Sequence, residues 1–431
     1  MTAFRTAMAI AVFQIPLLSG AVPSSAAGFA ERVDQPAAII QPRAVAPPAC
    51  VGDCNGDGAV TVGEILIMIA IGLGDTGVLP CLAGDANGDG QVTIDEILAA
   101  VDTALQGCPV GIPNPLFVRA AVGRDTNSGA DANHALASIT KAAQLAGSGH
   151  RIIVGPGTYG GGITSVHSGV ARQGLQFIAD DTGVQTNDAP GDVIIDGAAK
   201  VQGFNLSNTP GTVIDGFHVT NTVDAGIVIK SGSDNLQIKN NVLYANAGDG
   251  IRVQDSANVL VFDNLLYGNG GVGISIVGQA SGSPRATVLN NTIYSSGSRG
   301  LLFGTTAAAS PAGFVRNNII SGNGSDASIK TVTSPRSDLE YDGDFNLVVP
   351  STYIPTNIAG AHDLSVDPQF VDPVHGDFHL EASSPAIDAG DTLNNLQALS
   401  TFLHSRATAI DGHCDGGALD LGYHYRAPSC P

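Results

Sequence analysis

The amino-acid sequence predicts a mainly β chain, in which a long solenoid of stacked parallel strands follows a small all-α module that binds calcium. Three observations support this prediction. Two loops with the spacing of calcium ligands lie near the N-terminus, at 53–64 and 85–96. A short motif then recurs at nearly constant intervals along the rest of the chain. The 431 residues include 55 glycines and no tryptophan, a composition that favours tight turns over long charged helices.

The first segment, residues 1–27, is predicted to be a secretory signal. It has an early Arg5, an apolar centre and an end rich in small residues, with cleavage expected near Ala27 or Ala30. A membrane anchor is the weaker interpretation, because the apolar run is short and contains a glutamine and a proline. No other segment is suited to spanning a membrane. We therefore expect a secreted or cell-surface protein, with a Pro- and Ala-rich linker at 28–49.

Residues 50–109 form the predicted calcium module. Both loops match the pattern D-x-[DN]-x-[DN]-G-x5-E at every position, and hard oxygen donors at this spacing suit Ca²⁺. The alternative is a pair of Asp/Gly turns that no longer bind metal. The predicted side-chain ligands are Asp53, Asn55, Asp57, Thr61 and Glu64 in the first loop, and Asp85, Asn87, Asp89, Thr93 and Glu96 in the second.

The phrases CNGDGAVTVGEIL and DANGDGQVTIDEIL resemble the tandem EF-hand and dockerin-type modules of secreted bacterial proteins. Glu64 and Glu96 close the loops as in ordinary EF-hands, whereas dockerins commonly close them with Asp. The first helix, EILIMIAIGLG, is apolar nearly all round. We expect this helix to pack on the body of the same chain, or else on a protein partner.

The six cysteines of an exported chain predict disulfides. A zinc site is the alternative, but the spacing lacks paired CxxC units. Four cysteines bracket the calcium loops and are expected to pair among themselves, and two lie near the C-terminus and are expected to pair with each other: Cys50, Cys54, Cys81 and Cys108, then Cys414 and Cys430.

The body of the chain, residues 115–426, is a repeat. The segments IKNNVL, VFDNLL, VLNNTI and VRNNII place an asparagine at 241, 264, 291 and 318. A second marker runs in parallel as Gly226-Ile227, Gly250-Ile251, Gly273-Ile274 and Gly300-Leu301, and both markers advance by 23 to 27 residues. One unit of two or three short strands cannot enclose a core, whereas stacked units can. We expect the asparagines to stack as an internal ladder that satisfies backbone groups in the turns.

This region resembles the secreted right-handed parallel β-helix proteins of the pectate-lyase-like superfamily. The opening layout at 118–161, with an amphipathic helix expected at about 132–146, carries the resemblance. So do the tail phrases DPQFVDPVHGDFHLEASSPAIDAG and DGGALDLGYHY. The resemblance implies a right-handed coil and a polysaccharide partner. The superfamily contains lyases, hydrolases, epimerases and proteins without known catalysis, so it does not fix an activity.

The formal net charge of −20 argues against nucleic acid or an anionic membrane as partner. An acidic polysaccharide would require a bridging cation or a local basic patch.

Strand alternation predicts the outward positions of the coils. The first outward row reads Val228, Arg252, Ser275 and Leu302, and the second reads Lys230, Gln254, Val277 and Gly304. Lys230 and Arg252 are therefore candidate catalytic residues of a uronate lyase, with Arg252 as base or carboxylate clamp. The other candidates are Asp224, Asp249 and Asp255 as ligands of a second kind of calcium site, and Lys239 and Arg299 as substrate-binding residues on other rows.

The lyase pattern is incomplete in this chain. One calcium-dependent lyase family with this fold carries a clustered pair of aspartates and a later lysine, whereas NAGDGIRV has one aspartate and Ser275 lies near the expected lysine position. Ordinary ion pairs on a solvated face are the alternative interpretation of the candidate site. The sequence thus predicts either a pectate-lyase-like uronate lyase or a non-catalytic surface or adhesion protein.

Overall fold

We describe the protein from a computed structural model. The structure describes residues 51–52, 54, 60–74, 81, 84, 91–106, 114–164, 172–198, 200–230, 232–278, 285–304, 312–324, 328–331 and 341–426. The predicted signal segment, the linker and six of the ten predicted ligands of the calcium loops lie outside these residues. These six are Asp53, Asn55, Asp57, Asp85, Asn87 and Asp89.

The body is a right-handed parallel β-helix built from three parallel sheets. Sheet A contains β1 Leu116–Val118, β2 Arg151–Val154, β5 Gln176–Ala179, β8 Val213–Asp215, β11 Gln237–Lys239, β14 Val259–Phe262, β17 Arg285–Leu289, β20 Ala312–Arg316 and β23 Tyr341–Asp344. Sheet B contains β3 Gly157–Gly160, β6 Val193–Asp196, β9 His218–Thr220, β12 Val242–Tyr244, β15 Leu265–Tyr267, β18 Thr292–Tyr294, β21 Ile319–Ser321 and β24 Leu347–Val349. Sheet C contains β4 Ile163–Thr164, β7 Phe204–Ser207, β10 Ile227–Lys230, β13 Ile251–Gln254, β16 Ile274–Val277, β19 Leu301–Phe303, β22 Ile329–Thr331 and β25 Tyr353–Ile354.

Each coil contributes one strand to each sheet, and every strand pairs in parallel with its copy in the next coil. Alternate side chains point inward because the side-chain period of a strand is two. In β10, for example, Ile227 and Ile229 belong to the central core. Larger rings fill the early coils, where Phe177, Phe204 and Phe217 stack edge to face with centroids 5.4 Å apart. No coil encloses this core alone, so the sequence must supply many similar units.

The predicted asparagine ladder is confirmed. Each side-chain amide donates to the next asparagine Oδ1, at 3.0 Å from Asn241 to Asn264, from Asn264 to Asn291 and from Asn291 to Asn318. Asn346 extends the ladder by one coil, since it accepts from Asn318 at 2.9 Å. The same asparagines bind backbone carbonyl and N–H groups at the turn between sheets A and B, which satisfies polar groups that are buried.

In three coils the residue before the ladder asparagine has another role. Asp263, Asn290 and Asn317 adopt positive φ angles of 53°, 48° and 59°, so their side chains leave the coil. Such backbone geometry is tolerated best by Asn, Asp and Gly. All three side chains bind the C-terminal part of the chain: Asp263 accepts from the His424 N–H at 2.6 Å, Asn290 Nδ2 donates to Asp420 O at 3.0 Å, and Asn317 Nδ2 donates to Asp391 O at 2.9 Å.

The C-terminal segment, residues 370–425, packs on the outward faces of sheets A and B. A hairpin of β26 Phe370–Asp372 and β27 Asp377–Leu380 lies over sheet B, where Phe370 and Phe378 join a cluster with Leu265. Helix α4, Gln397–His404, covers sheet A, with Phe402 packed edge to face on Phe262 at 5.6 Å. Burying these apolar faces stabilises the coils, because an exposed apolar strand face is unfavourable in water.

The opening helix is shorter than predicted. Instead of spanning about 132–146, it consists of a 3₁₀ turn, Ala132–His134, and helix α3, Ile139–Leu145. The Asp125 side chain accepts the backbone N–H groups of Ala137 and Ser138, which holds the intervening chain in a turn. Ser138 then caps α3 by accepting from the Lys141 N–H.

The calcium module contains α1, Val62–Gly72, and α2, Ile94–Gln106. A disulfide joins Cys54 to Cys81, within the predicted group of four, and Cys414 is also disulfide-bonded. The other three cysteines, Cys50, Cys108 and Cys430, lie outside the described residues. Among the described helices, none is long and apolar enough to cross a membrane.

Candidate functional site

The candidate site lies on the outward face of sheet C, the sheet on which the C-terminal clusters just described do not pack. Strand pairing confirms the first predicted row, because Val228 aligns with Arg252, Arg252 with Ser275, and Ser275 with Leu302. Val228 and Ser275 are nearly inaccessible, at 1% and 3% exposure. Arg252 is therefore reachable between two buried positions, and the row continues past Leu302 to Lys330, which are both partly exposed.

Arg252 is bound by two carboxylates from two coils. Its Nε donates to Asp249 Oδ2 at 2.7 Å, and its Nη1 and Nη2 donate to the two oxygens of Asp224 at 2.9 Å each. The bidentate pair with Asp224 has the geometry that a planar guanidinium favours. The Arg252 side chain keeps 25% of its surface exposed, and those of Asp224 and Asp249 keep 32% and 12%. The cluster is thus anchored but reachable from solvent.

Two amides extend this cluster across the sheet. Gln202 Nε2 donates to Asp224 Oδ2 at 3.2 Å, and Asn205 Nδ2 donates to Gln202 Oε1 at 3.2 Å. Asp249 Oδ1 accepts the Val272 N–H at 2.8 Å, which ties that carboxylate to the next coil. We call Asn205, Gln202, Asp224, Arg252 and Asp249 the sheet C network.

The sequence reasoning missed Gln202 and Asn205. Asn205 aligns with Val228 in the pairing of β7 with β10, so it belongs to the first outward row. The signal was present, because Gly203-Phe204 continues the Gly-Ile marker one coil earlier. Extending the repeat to an aromatic residue at that position would have identified Asn205.

The hydrogen bonds of the network favour the charged forms of Asp224 and Arg252. Burial alone would raise the pKa of Asp224, but hydrogen bonds from Arg252 and Gln202 outweigh it and the pKa is lowered. Burial likewise opposes the charged form of Arg252, yet the bonds to Asp224 and Asp249 raise its pKa above the usual value. Proton abstraction requires a neutral base, so this arrangement favours a binding role for Arg252 over the role of base.

Lys230 lies at the end of β10, in the second outward row of the same sheet. Within the described part of the chain it has no carboxylate partner within ion-pair distance. Asp255 follows β13 with φ of 51° and donates its backbone N–H to Val277 O at 3.1 Å. Among the described residues no three His, Cys, Asp or Glu side chains are grouped to hold a metal ion. The structure therefore does not assemble Asp224, Asp249 and Asp255 into the second kind of calcium site.

The two residues predicted to bind substrate lie elsewhere. Lys239 is on sheet A, where it pairs with Asp215 at 3.2 Å and lies 5.7 Å from the Phe402 ring of α4. Arg299 is in the turn before β19, and its carbonyl accepts the Gly273 N–H. The structure does not bring Lys239 together with Arg252. Arg299 occupies the turn position of Asp249, two coils further along.

The described parts of the calcium module place two carboxylates alike. Glu64 and Glu96 are 5% and 7% exposed. Each Oε2 accepts both the backbone N–H and the hydroxyl of the threonine three residues earlier, at 2.8 and 2.9 Å, for Thr61 and for Thr93. Two buried carboxylates with the same orientation fit the closing ligands of two calcium loops.

Helix α1 also exposes an apolar face. Val62, Leu66 and Leu73 are 73%, 60% and 75% exposed. Met68 and Ile71 point into the small core of the module instead. The expected packing of this helix on the body of the chain is therefore not seen at these three positions.

A family model described as a right-handed beta helix region matches residues 192–293. Among solved structures, pectate lyase Pel9A is 14% identical with a TM-score of 0.47, covering 73% of this chain and 97% of its own. The periplasmic alginate epimerase AlgG is 15% identical with a TM-score of 0.30, over 43% of this chain and 48% of its own. A rhamnogalacturonan lyase is 11% identical with a TM-score of 0.29, over 60% and 90%.

No curated protein matches the chain. At these identities and TM-scores, the likeness to solved structures supports no conclusion about the activity of this chain.

Proposed function

We propose that the chain is an exported, calcium-binding β-helix protein that binds polysaccharide at the sheet C network. One observation supports this proposal above the others. The C-terminal segment covers the outward faces of sheets A and B, whereas sheet C carries linked amide, guanidinium and carboxylate groups that solvent can reach. Planar polar side chains held rigidly on strands are suited to binding the hydroxyl groups of a sugar chain.

Binding is favoured over catalysis by the state of Arg252. All three of its nitrogens donate to carboxylates, so its charge is already compensated by two aspartates and it does not provide a neutral base. A uronate lyase is the second candidate function. It is supported by Lys230, a cation on the same sheet face without an ion-pair partner in the described chain, which would have to serve as base.

The calcium module completes the proposal. Glu64 and Glu96 would close two Ca²⁺ loops that order the module, and the apolar face of α1 is the surface available to a protein partner. The chemistry that Ca²⁺ supplies here is structural, because it links loop oxygens. In this proposal the module attaches the protein to a partner, and the coil binds a glycan.

The test uses the protein purified with its calcium. It is run through native gels that contain polygalacturonate, alginate, xylan, glucan or mannan, with calcium or with chelator. Retardation by one or more of these polymers supports binding. Ultraviolet absorbance of unsaturated product is followed in parallel with the uronans. Product that requires Lys230 would establish the lyase instead, and neither retardation nor product on any polymer would overturn the proposal.

A further inference from the structure

We infer that the polysaccharide bound by the sheet C network is uncharged and rich in hydroxyl groups, and is not a uronan. This inference rests on the proposed function of that face and narrows its ligand class. It departs from the acidic substrate that the sequence resemblance implies.

The first argument is the local charge. One guanidinium, that of Arg252, is shared between the carboxylates of Asp224 and Asp249, so the three side chains together carry one excess negative charge. A uronate placed against this cluster would meet two carboxylates and a cation that is already compensated. Like charges a few ångströms apart repel even in water. An uncharged sugar pays no such penalty.

The second argument is the pairing of cations elsewhere on the coil. Four arginines and lysines outside the network, which would otherwise attract a polyanion, are paired with aspartates. These pairs are Lys239 with Asp215 at 3.2 Å, Arg316 with Asp342 at 2.5 Å, Arg119 with Asp188 at 2.5 Å, and Arg426 with Asp181 at 2.5 Å. The chain as a whole has 39 acidic against 19 basic residues, which adds a long-range repulsion. On the outward face of sheet C, Lys230 and Lys330 add two cations.

The third argument is hydrogen-bond type. A carboxylate ligand only accepts, whereas a sugar hydroxyl both donates and accepts. The network presents acceptors, the oxygens of Asp224 and Asp249, directly beside donors, the remaining N–H groups of Arg252 and the amide of Asn205. A surface with acceptors and donors in close pairs matches hydroxyl groups. A uronate carboxylate could use only the donors and would face the Asp224 and Asp249 oxygens acceptor against acceptor.

The experiment compares polymers that share a backbone and differ in charge. The full-length protein is titrated calorimetrically with polygalacturonan in its free-acid and fully methyl-esterified forms, and with carboxymethyl and hydroxyethyl cellulose. Each titration is repeated with chelator and at salt above and below about 0.15 M, because salt screens charge-driven binding. For each pair of polymers, we expect the uncharged form to bind with an affinity about tenfold or more above that of the charged form. This affinity should depend little on salt or calcium.

Three variants test which side chains bind the polymer. Asn205→Ala removes an amide but no charge and should weaken binding of the uncharged polymer about fivefold. Lys141→Gln on α3 is the control for a positive charge lost outside the network and should leave binding unchanged. Tighter binding of the acid form, weakened by salt or by Lys230→Gln, would overturn the inference while the proposed function stands. The absence of binding to every polymer, including the wider panel above, would overturn both.

Discussion

Replacing one asparagine of the internal ladder should destabilise the whole coil. Asn291 is fully buried. Its Oδ1 accepts from the backbone N–H of Asn264 at 3.1 Å and from the Asn264 side chain at 3.0 Å. Its Nδ2 donates to two carbonyls and to Asn318 Oδ1, at 2.9 to 3.0 Å. Asn291→Ala removes all of these side-chain contacts and leaves the Asn264 backbone N–H without its partner.

The expected cost follows from these contacts. A buried N–H left without a partner costs about 2 kcal/mol, and two further hydrogen bonds lost from the ladder cost about 1 kcal/mol each. Asn291→Ala should therefore lower the free energy of unfolding by about 4 kcal/mol. The matched control is Asn133→Ala, because Asn133 is exposed in the opening 3₁₀ turn and its side chain lies outside the ladder. The control should change stability by less than about 0.5 kcal/mol.

Urea unfolding followed by far-ultraviolet circular dichroism measures both variants at fixed calcium. The slope of the free energy with urea must be the same for wild type and variants, because a changed slope signals loss of cooperativity in a repeat protein. If Asn291→Ala unfolds at the same urea concentration as Asn133→Ala, the ladder does not stabilise the coil and the reasoning is refuted.

Three further predictions follow from other parts of the molecule. Buried His424 donates to Asp415 and to a carbonyl; burial lowers its pKa, but the Asp415 bond outweighs this and raises it. Its stabilising effect is thus full below the unfolded pKa of about 6.5 and is lost as pH rises through the higher folded value. In urea titrations, the difference in free energy of unfolding between wild type and His424→Gln should therefore shrink between pH 6 and 9. Ser296→Asn should raise the free energy of unfolding by about 1 kcal/mol, and with it the melting temperature. The Ser296 hydroxyl is buried without a hydrogen-bond partner in the described chain, in line with a second asparagine stack. An unchanged melting temperature would contradict this. Glu64→Gln and Glu96→Gln keep the threonine-binding oxygen but lose a charge, so each should weaken calcium binding about tenfold or more by calorimetry, and unaltered affinity would contradict the calcium assignment.

The repeat was predictable because its physical requirements recur in the sequence. A buried asparagine recurs at 241, 264, 291, 318 and 346, and a glycine precedes the sheet C strands from β4 to β19, so the period can be read directly. Strand alternation then predicts the outward row that contains Arg252. The residue before the ladder asparagine was harder to interpret. In the later coils its side chain binds a segment more than seventy residues further along, as Asn317 does with Asp391, and no local pattern reveals such a partner.

The candidate site was only partly predictable for the same reason. The sequence placed Arg252 beside Asp224 and Asp249 but did not show that all its nitrogens are used, which depends on side-chain geometry across two coils. Lys239 was selected as a cation, yet it lies under a helix from the other end of the chain. Because packing of this kind involves residues far apart in the sequence, the sequence alone does not show which basic residues are available to a ligand.

The measurement that tests the central claim most directly is hydroxyl-radical footprinting of the protein, with and without the polysaccharide that retards it most strongly. Peptide mass spectrometry reads the protection of each strand. The account predicts protection confined to the peptides that carry β7, β10 and β13, including Asn205 and Arg252, with no change in the β26–β27 hairpin or in α4. Protection of the hairpin or of the calcium module, with β7 to β13 labelled equally in both states, would contradict it.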